Sequence, residues 1–308
     1  MANPKQPDCR PEQETAGKAY AATEHRFALG TKGTTETGIE MPDSPFIERC
    51  PDEFIAFAGE LADANGRHAL GYFQTSFEVI HKADDSPVTV ADKDGEELMR
   101  RMIRTAWPAH GIMGEEFSPE GEDADYVWLL DPIDGTAAFV SGMPTFGMLI
   151  TLLHHRRPIL GVIDHPALRQ RSIGARGHST LFDGKPARVR ACTRLEDAVL
   201  LCAGPNYFFG ADREHFMALA DRVRIVTYGG FAFSYGLLAA GLCDLVVDGG
   251  MKPHDYMPML PIVEGAGGRI TDWHGGPMNW GSMEEVVVVG DPALLDPALD
   301  ALRPDRPR

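Results

Sequence analysis

Two acidic clusters in the first half of the chain, Gly114-Glu115-Glu116 and Asp131-Pro132-Ile133-Asp134-Gly135-Thr136, have the residue types and spacing of a metal site. The second follows the apolar run Tyr126-Val127-Trp128-Leu129-Leu130, which reads as a buried strand. Asp131 therefore falls at or near the end of a strand. Pro132 is expected to end ladder pairing there, and Gly135 permits a sharp turn. Two carboxylates in one tight turn repel each other, and burial raises that cost. A divalent cation relieves both. Hard cations draw oxygen ligands from several segments, so Asp92 upstream and Asp255 downstream join Glu115, Asp131 and Asp134 as candidates. Taken singly, any of these acids is more often a solvated surface group or a helix cap. The close pair at 131 and 134, behind an apolar strand, stands well above that ordinary reading.

Gly135-Thr136 adds a second capacity. A turn leading into a helix exposes backbone N–H groups, which suit a phosphate. The Thr136 hydroxyl is near enough in sequence to Asp134 to share its site, and a Thr beside a carboxylate and a metal can orient and deprotonate a water. A helix N-cap role for Thr136 is compatible with this.

These residues need a scaffold, and 308 residues with 44% hydrophobic and 24% charged content are enough for one large or two ordinary soluble domains. A net charge of -16 argues against nucleic-acid or anionic-membrane partners, which reward Lys and Arg. An anionic substrate would then require bound cations to invert the local field. The five cysteines, Cys9, Cys50, Cys192, Cys202 and Cys243, are odd in number and lack a Cys-x-x-Cys spacing, so free thiols are expected rather than a disulfide framework or thiolate zinc site. No apolar stretch reaches membrane-spanning length, and the N-terminus lacks an apolar signal core. A cytoplasmic protein is expected.

Residues 1–43 are polar and aperiodic and read as a tail the fold does not need, or as the result of a start placed too far upstream. Order is expected from about Pro51, with a helix carrying Phe54, Ala58 and Leu61 and stopped by Gly71, then a second from about Lys93 to Ala106. Strands are expected at 111–113, 126–130, 146–153, 159–163, 171–174 and 180–182. The second half alternates: strands at 199–202, 224–227, 244–247 and 286–289, with helices at 213–221 and 231–240 and a further helical stretch before Gly265. The pattern predicts a layered α/β fold of two subdomains, 44–192 and 193–308.

In the order Pro87-Val88-Thr89-x-x-Asp92, Gly114-Glu115-Glu116, Asp131-Pro132-Ile133-Asp134-Gly135-Thr136, then Asp255 followed by Glu264-Gly265-Ala266-Gly267-Gly268, the chain resembles the inositol monophosphatase superfamily over roughly residues 50 to 300. The resemblance implies magnesium-dependent phosphomonoesterase activity, an αβαβα sandwich and a homodimer. Within the superfamily the chain looks most like the histidinol-phosphate phosphatases of histidine biosynthesis. The stretches that carry this are His81 to Asp92, Pro158-Ile159-Leu160-Gly161-Val162-Ile163-Asp164-His165-Pro166, and Asp244 to Asp248 through Lys252-Pro253-His254-Asp255.

Carried over by position, the resemblance implies that Glu115, Asp131 and the Ile133 carbonyl hold one magnesium. Asp131, Asp134 and Asp255 would hold a second, and Glu115 a loosely bound third. Asp92 and Thr136 would activate the water for in-line attack, and the Gly135 and Thr136 amides would bind phosphate. Asp248 and His254 are candidate contacts to the substrate, a small-molecule phosphate ester. His254 stands where the inositol enzymes have Trp, and Ala138 where many members have Asn; neither is a metal ligand, so both bear on the substrate and not on hydrolysis. A structural role for His254 is an equal reading, and for Asn206 and Tyr207 an ordinary turn outweighs a place in the pocket wall. Other superfamily esters, inositol 1-phosphate among them, are the nearest alternative substrates. A non-catalytic scaffold is disfavoured because it has no use for a water-activating pair.

Overall fold

A computed structural model of the chain describes residues 47–77, 79–81, 87–282 and 284–303. The chain parts into Met1–Ser44 and Pro45–Arg308. The first part, and with it the tail expected over residues 1–43, lies outside the described residues, as does 82–86 of the motif that begins at His81.

The uninterrupted apolar runs explain the layering. In β4 (Tyr126–Asp134), Trp128 and Leu130 enter a core shared with Phe54, Leu61, Met99 and Ile103. Val127 and Leu129 enter another, shared with Leu238, Met257, Leu260 and Val263. β5 (Gly147–His154) divides its side chains the same way, Ile150 and Leu152 to one core, Leu149 and Leu153 to the other. A strand covered on both faces has no polar side to present, so its sequence loses alternation.

These strands are the centre of a seven-stranded sheet ordered β3 (Gly111–Gly114), β4, β5, β6 (Arg157–His165), β7 (Gln170–Ala175), β8 (Leu181–Phe182) and β9 (Lys185–Pro186). Only the β3–β4 pairing is parallel. The second sheet runs β11 (Ile225–Tyr228), β10 (Val199–Cys202), β12 (Leu245–Asp248), β14 (Val286–Val289), β13 (Arg269–Asp272), with β10 parallel to both neighbours. A short antiparallel pair, β1 (Val79–His81) and β2 (Pro87–Thr89), precedes them.

Helices α1 (Asp52–Tyr72) and α2 (Val90–Ala106) cover one face of the first sheet. Helices α5 (Phe233–Ala239), α6 (Pro253–Tyr256) and α7 (Met259–Gly265) fill the layer between the sheets. Helices α4 (Gly210–Ala220) and α8 (Leu295–Leu302) cover the far face of the second sheet. The five-residue α3 (Thr136–Val140) follows β4 directly. The result is the expected αβαβα sandwich. Among the described residues no helix is long and apolar enough to cross a membrane, and Cys50, Cys192, Cys202 and Cys243 are free thiols.

Several elements differ from the sequence reading, which also did not expect β1 and β2. α2 begins at Val90, three residues early, because Thr89 caps it and Asp92 closes a capping box. β4 does not stop at Pro132: pairing resumes at Asp134 opposite Gly147 after a register shift. β13 was not anticipated, being four residues with a charge at each end. Nor was α8, whose Pro297 sits in the first helical turn, where a missing N–H costs nothing.

The register shift in β4 decides the site. Asp131 pairs with Leu149 and Asp134 with Gly147, so three steps on β4 oppose two on β5. In a regular strand, residues three apart point to opposite faces. The extra residue of the bulge restores parity and brings both aspartates to the face of Val127 and Leu129, toward the central helical layer.

Candidate active site

The acids reach the site from four places in the fold, Asp131 and Asp134 both from β4, and a backbone N–H fixes the carboxylate of each aspartate. Asp131 Oδ1 accepts the Ile133 N–H at 3.0 Å, and Asp134 Oδ2 accepts the Ala232 N–H at 2.9 Å. Asp92 and Asp255 are both third residues of helices. Each spends one carboxylate oxygen on its own helix start: Asp92 Oδ2 accepts the Thr89 N–H and Asp255 Oδ2 the Lys252 N–H, both at 2.8 Å. That leaves the second oxygen of each carboxylate for the site. Glu115 follows β3, and its N–H donates to the Leu130 carbonyl at 3.2 Å.

Asp131, Asp134 and Asp255 each present one oxygen within 4.8 Å of the others. Glu115, Ile133, Gly135, Thr136, Asp248 and His254 line the same cavity, whose volume is about 220 Å³. Asp92 stands beside it: the Thr136 hydroxyl lies 3.4 Å from Asp92 Oδ1 and 3.1 Å from the Ile133 carbonyl oxygen. All ten residues singled out in the sequence are thus brought to one place. Of the two wall candidates, Tyr207 lines the cavity and Asn206 is not among its lining residues. His254 Nε2 lies 3.5 Å from Asp255 Oδ1. Ala138 is buried in α3.

The electrostatics fit a cation. Burial, then the charges of Glu115, Asp134, Asp255 and Asp92, hold the Asp131 carboxyl well above the usual range. Burial and then Asp255 push Asp134 up to about 7. Burial raises Asp255 as well, with Glu115 adding to it and His254 and Lys252 opposing. Burial also raises Asp92 to about 6, against the lowering effect of its hydrogen bonds to Thr89. Hard carboxylate oxygens gathered at mutual electrostatic cost are the donor set magnesium takes.

Asp248 is buried, with Oδ1 accepting the Ala203 N–H at 2.6 Å and Oδ2 the Tyr235 hydroxyl at 2.9 Å. Burial pushes it to about 6. These partners escaped the sequence reading, as did Phe231, which lines the cavity, and Glu96 behind it. Glu96 is buried; it accepts the Glu116 N–H at 2.7 Å and the Arg100 Nε–H at 2.7 Å. A Cβ at Gly114 would lie 2.0 Å from Glu96 Oε1, so the glycine before Glu115 makes room for that carboxylate. The Thr89-x-x-Asp92 spacing could have disclosed the capping box. Nothing local to Phe231 or Glu96 marks either residue.

An αβαβα sandwich with convergent carboxylates and a Thr–Asp pair at the end of a bulged strand defines a metal-dependent phosphomonoesterase. Residues 51–305 match the inositol monophosphatase family, and the chain belongs to it. It is 41% identical over 278 residues to the bifunctional phosphatase IMPL2, chloroplastic, of Arabidopsis thaliana, covering 87% of this chain and 79% of that protein. It is 35% identical to a histidinol-phosphatase of Chlorobaculum parvum over 226 residues, 72% of this chain and 86% of the relative. Among solved structures, an inositol monophosphatase from Zymomonas mobilis superposes with a TM-score of 0.75 at 39% identity, covering 82% of this chain and 98% of that one.

Proposed function

We propose that this phosphatase hydrolyses L-histidinol phosphate to L-histidinol and inorganic phosphate. The observation that carries the reading is the likeness to histidinol-phosphatases. Asp248, a buried carboxylate on the cavity wall, can pair with the ammonium group of an amino alcohol, though an acid at this position also serves a sugar hydroxyl. The histidinol-phosphatase from Chlorobaculum parvum, at 35% identity, supports the same substrate.

In this reading Glu115, Asp131 and the Ile133 carbonyl would hold one magnesium. Asp131, Asp134 and Asp255 would hold a second, and Glu115 with water would hold a loosely bound third. Magnesium when bound supplies positive charge for the phosphate dianion and makes water a better nucleophile. The chain's own groups do the rest. The Thr136 hydroxyl has two acceptors in reach, the Ile133 carbonyl, which would serve the cation, and Asp92 Oδ1, which would take its proton. Thr136 takes a proton from the attacking water as its own passes to Asp92. The P–O ester bond breaks in line with attack, and the leaving alkoxide is protonated by water. The Gly135 and Thr136 amides, at the start of α3, receive the phosphate oxygens. Asp248 and His254 face the alcohol. A homodimer, a cytoplasmic location and the division into 44–192 and 193–308 belong to the same reading.

A second reading, inositol 1-phosphate, is favoured by the 39% identity to the Zymomonas mobilis inositol monophosphatase. The deciding measurement is kcat/KM on the two esters under saturating magnesium. Histidinol phosphate is expected to exceed inositol 1-phosphate by at least roughly tenfold, which is the discrimination one well-placed ion pair supplies. Equal or reversed values reject the proposal.

A further inference from the structure

Three aromatic side chains, Tyr207, Phe231 and Tyr235, line the same cavity as the acids. Tyr235 is engaged by Asp248 through its hydroxyl. Hydrolysis itself makes no use of the other two. Their ring centroids lie 6.4 Å apart at an interplanar angle of 86°, so one ring offers a face where the other offers an edge. The Tyr207 hydroxyl is raised by burial first and then by the charges of Asp134 and Asp248, which puts it within the field of both.

Phe231 is held in this corner against its own backbone preference. Its φ is +46°, a region bulky side chains avoid. Among the described residues five other non-glycine positions have positive φ, namely Gln74, His155, Arg156, Arg169 and Asp183, and none of them lines the cavity. The Phe231 ring stands 3.1 Å from where a Gly135 Cβ would be, and the next residue, Ala232, donates its N–H to Asp134. The ring is therefore held against the turn that opens α3 and the small apolar cluster of Ile133, Ala138 and Phe139, with the next residue anchored to Asp134. Gly or Asn would relieve the backbone, yet an aromatic ring occupies the position. Strain kept at a cavity wall points to a use for the side chain.

We propose that Tyr207 and Phe231 form an aromatic corner that seats a planar, partly cationic ring of the leaving alcohol. Asp248 draws the neighbouring ammonium group. This rests on the histidinol phosphate reading and deepens it, since the imidazole becomes the selected feature. Aromatic faces attract a flat or cationic heterocycle and give little to a polyol, whose hydroxyls need hydrogen-bond partners.

The test compares three esters: histidinol phosphate, alaninol phosphate (which keeps the ammonium and lacks the ring) and inositol 1-phosphate. The wild-type enzyme is expected to prefer histidinol phosphate to alaninol phosphate. Phe231→Leu should lower that kcat/KM ratio roughly five- to tenfold, mainly through KM, with Tyr207→Leu acting in the same direction. Phe231→Tyr carries the same backbone strain and restores a ring, so it should retain the preference. An unchanged ratio in both leucine variants overturns the proposal and leaves the histidinol phosphate reading standing. A wild-type enzyme indifferent to the missing imidazole overturns it too. Preference for inositol 1-phosphate over histidinol phosphate removes the substrate reading and the aromatic corner with it.

Discussion

Thr136 has one hydroxyl proton and two acceptors within reach, the Ile133 carbonyl at 3.1 Å and Asp92 Oδ1 at 3.4 Å. If the hydroxyl moves a proton rather than grips the substrate, its loss should fall on the chemical step. Thr136→Ala is expected to lower kcat by about 10²- to 10⁴-fold while KM stays within roughly threefold, whereas Thr136→Ser keeps most of the rate. Steady-state kinetics under saturating magnesium check this, and a loss carried by KM would assign the hydroxyl to binding. Asp131, Asp134 and Thr136 could be found from the sequence because several polar groups behind an apolar strand contradict the strand's burial. Phe231 and Glu96 could not. An aromatic residue after Gly229-Gly230 and a glutamate within a helix are ordinary until the fold brings Gly135 and Glu116 against them.

At the level of elements, the site depends on how the acidic loop and α6 are docked. The loop Gly114–Glu120 is tied to α2 by Glu96, which holds the Glu116 N–H. Arg100 also ties it, donating to Glu96, Glu120 and the Phe117 carbonyl. Arg100 and Glu96 side chains are 1% and 0% exposed, so Arg100→Met strands a buried carboxylate. The expected cost is about 3–5 kcal/mol, a Tm loss on the order of 10 °C, with Glu96→Gln added to the same chain recovering part of it. Failure of the double variant to regain stability would mean Arg100 acts through packing and not through charge. On the other side, a Cβ at Gly161 of β6 would lie 2.0 Å from the Pro258 carbonyl oxygen, between α6 and α7. Gly161→Ala must therefore push the segment that carries Asp255. It is expected to cost about 1–3 kcal/mol or more and to weaken magnesium binding in calorimetry along with Tm. Unaltered magnesium affinity would show that Asp255 does not depend on this docking. Strand and helix positions were largely readable from periodicity. The bulge at Pro132 and the backbone approach at Gly161 were not, because each is set by a partner element: β5 in one case, the α6–α7 segment in the other.

For the whole molecule, the layered class followed from apolar runs too continuous for a sheet with one wet face, whereas the gathering of acids into one cavity needed the folded chain. That gathering sets the pH response of a protein whose net charge is -16. Burial, aided by neighbouring charges, lifts Asp134 to about 7 and Asp92 and Asp248 to about 6. Groups raised on folding bind protons more tightly in the native state. After divalent ions are stripped by chelation, their stabilising contribution is complete below about pH 4 and disappears as pH rises through 6 and 7. His165 opposes them. It is buried, its Nδ1 is 2.9 Å from the Phe146 carbonyl, and burial lowers it to about 4. Its contribution is present above about pH 6.5 and is lost as pH falls toward 4, so at pH 6 it takes back about 1 kcal/mol. Between pH 6 and 8 the three carboxylates together lose about 2 kcal/mol, which exceeds the histidine term, and Asp131 adds to them. The chelated protein should therefore melt at lower temperature at pH 8 than at pH 6, by a few degrees. Saturating magnesium should abolish the difference, because compensated carboxylates no longer resist ionisation. Magnesium binding near pH 7 should also release protons, read as a dependence of calorimetric heat on buffer ionisation enthalpy. A chelated protein as stable at pH 8 as at pH 6, with no proton release, would mean these acids are not held above their ordinary range, and the electrostatic case for a cation at this cavity would fail.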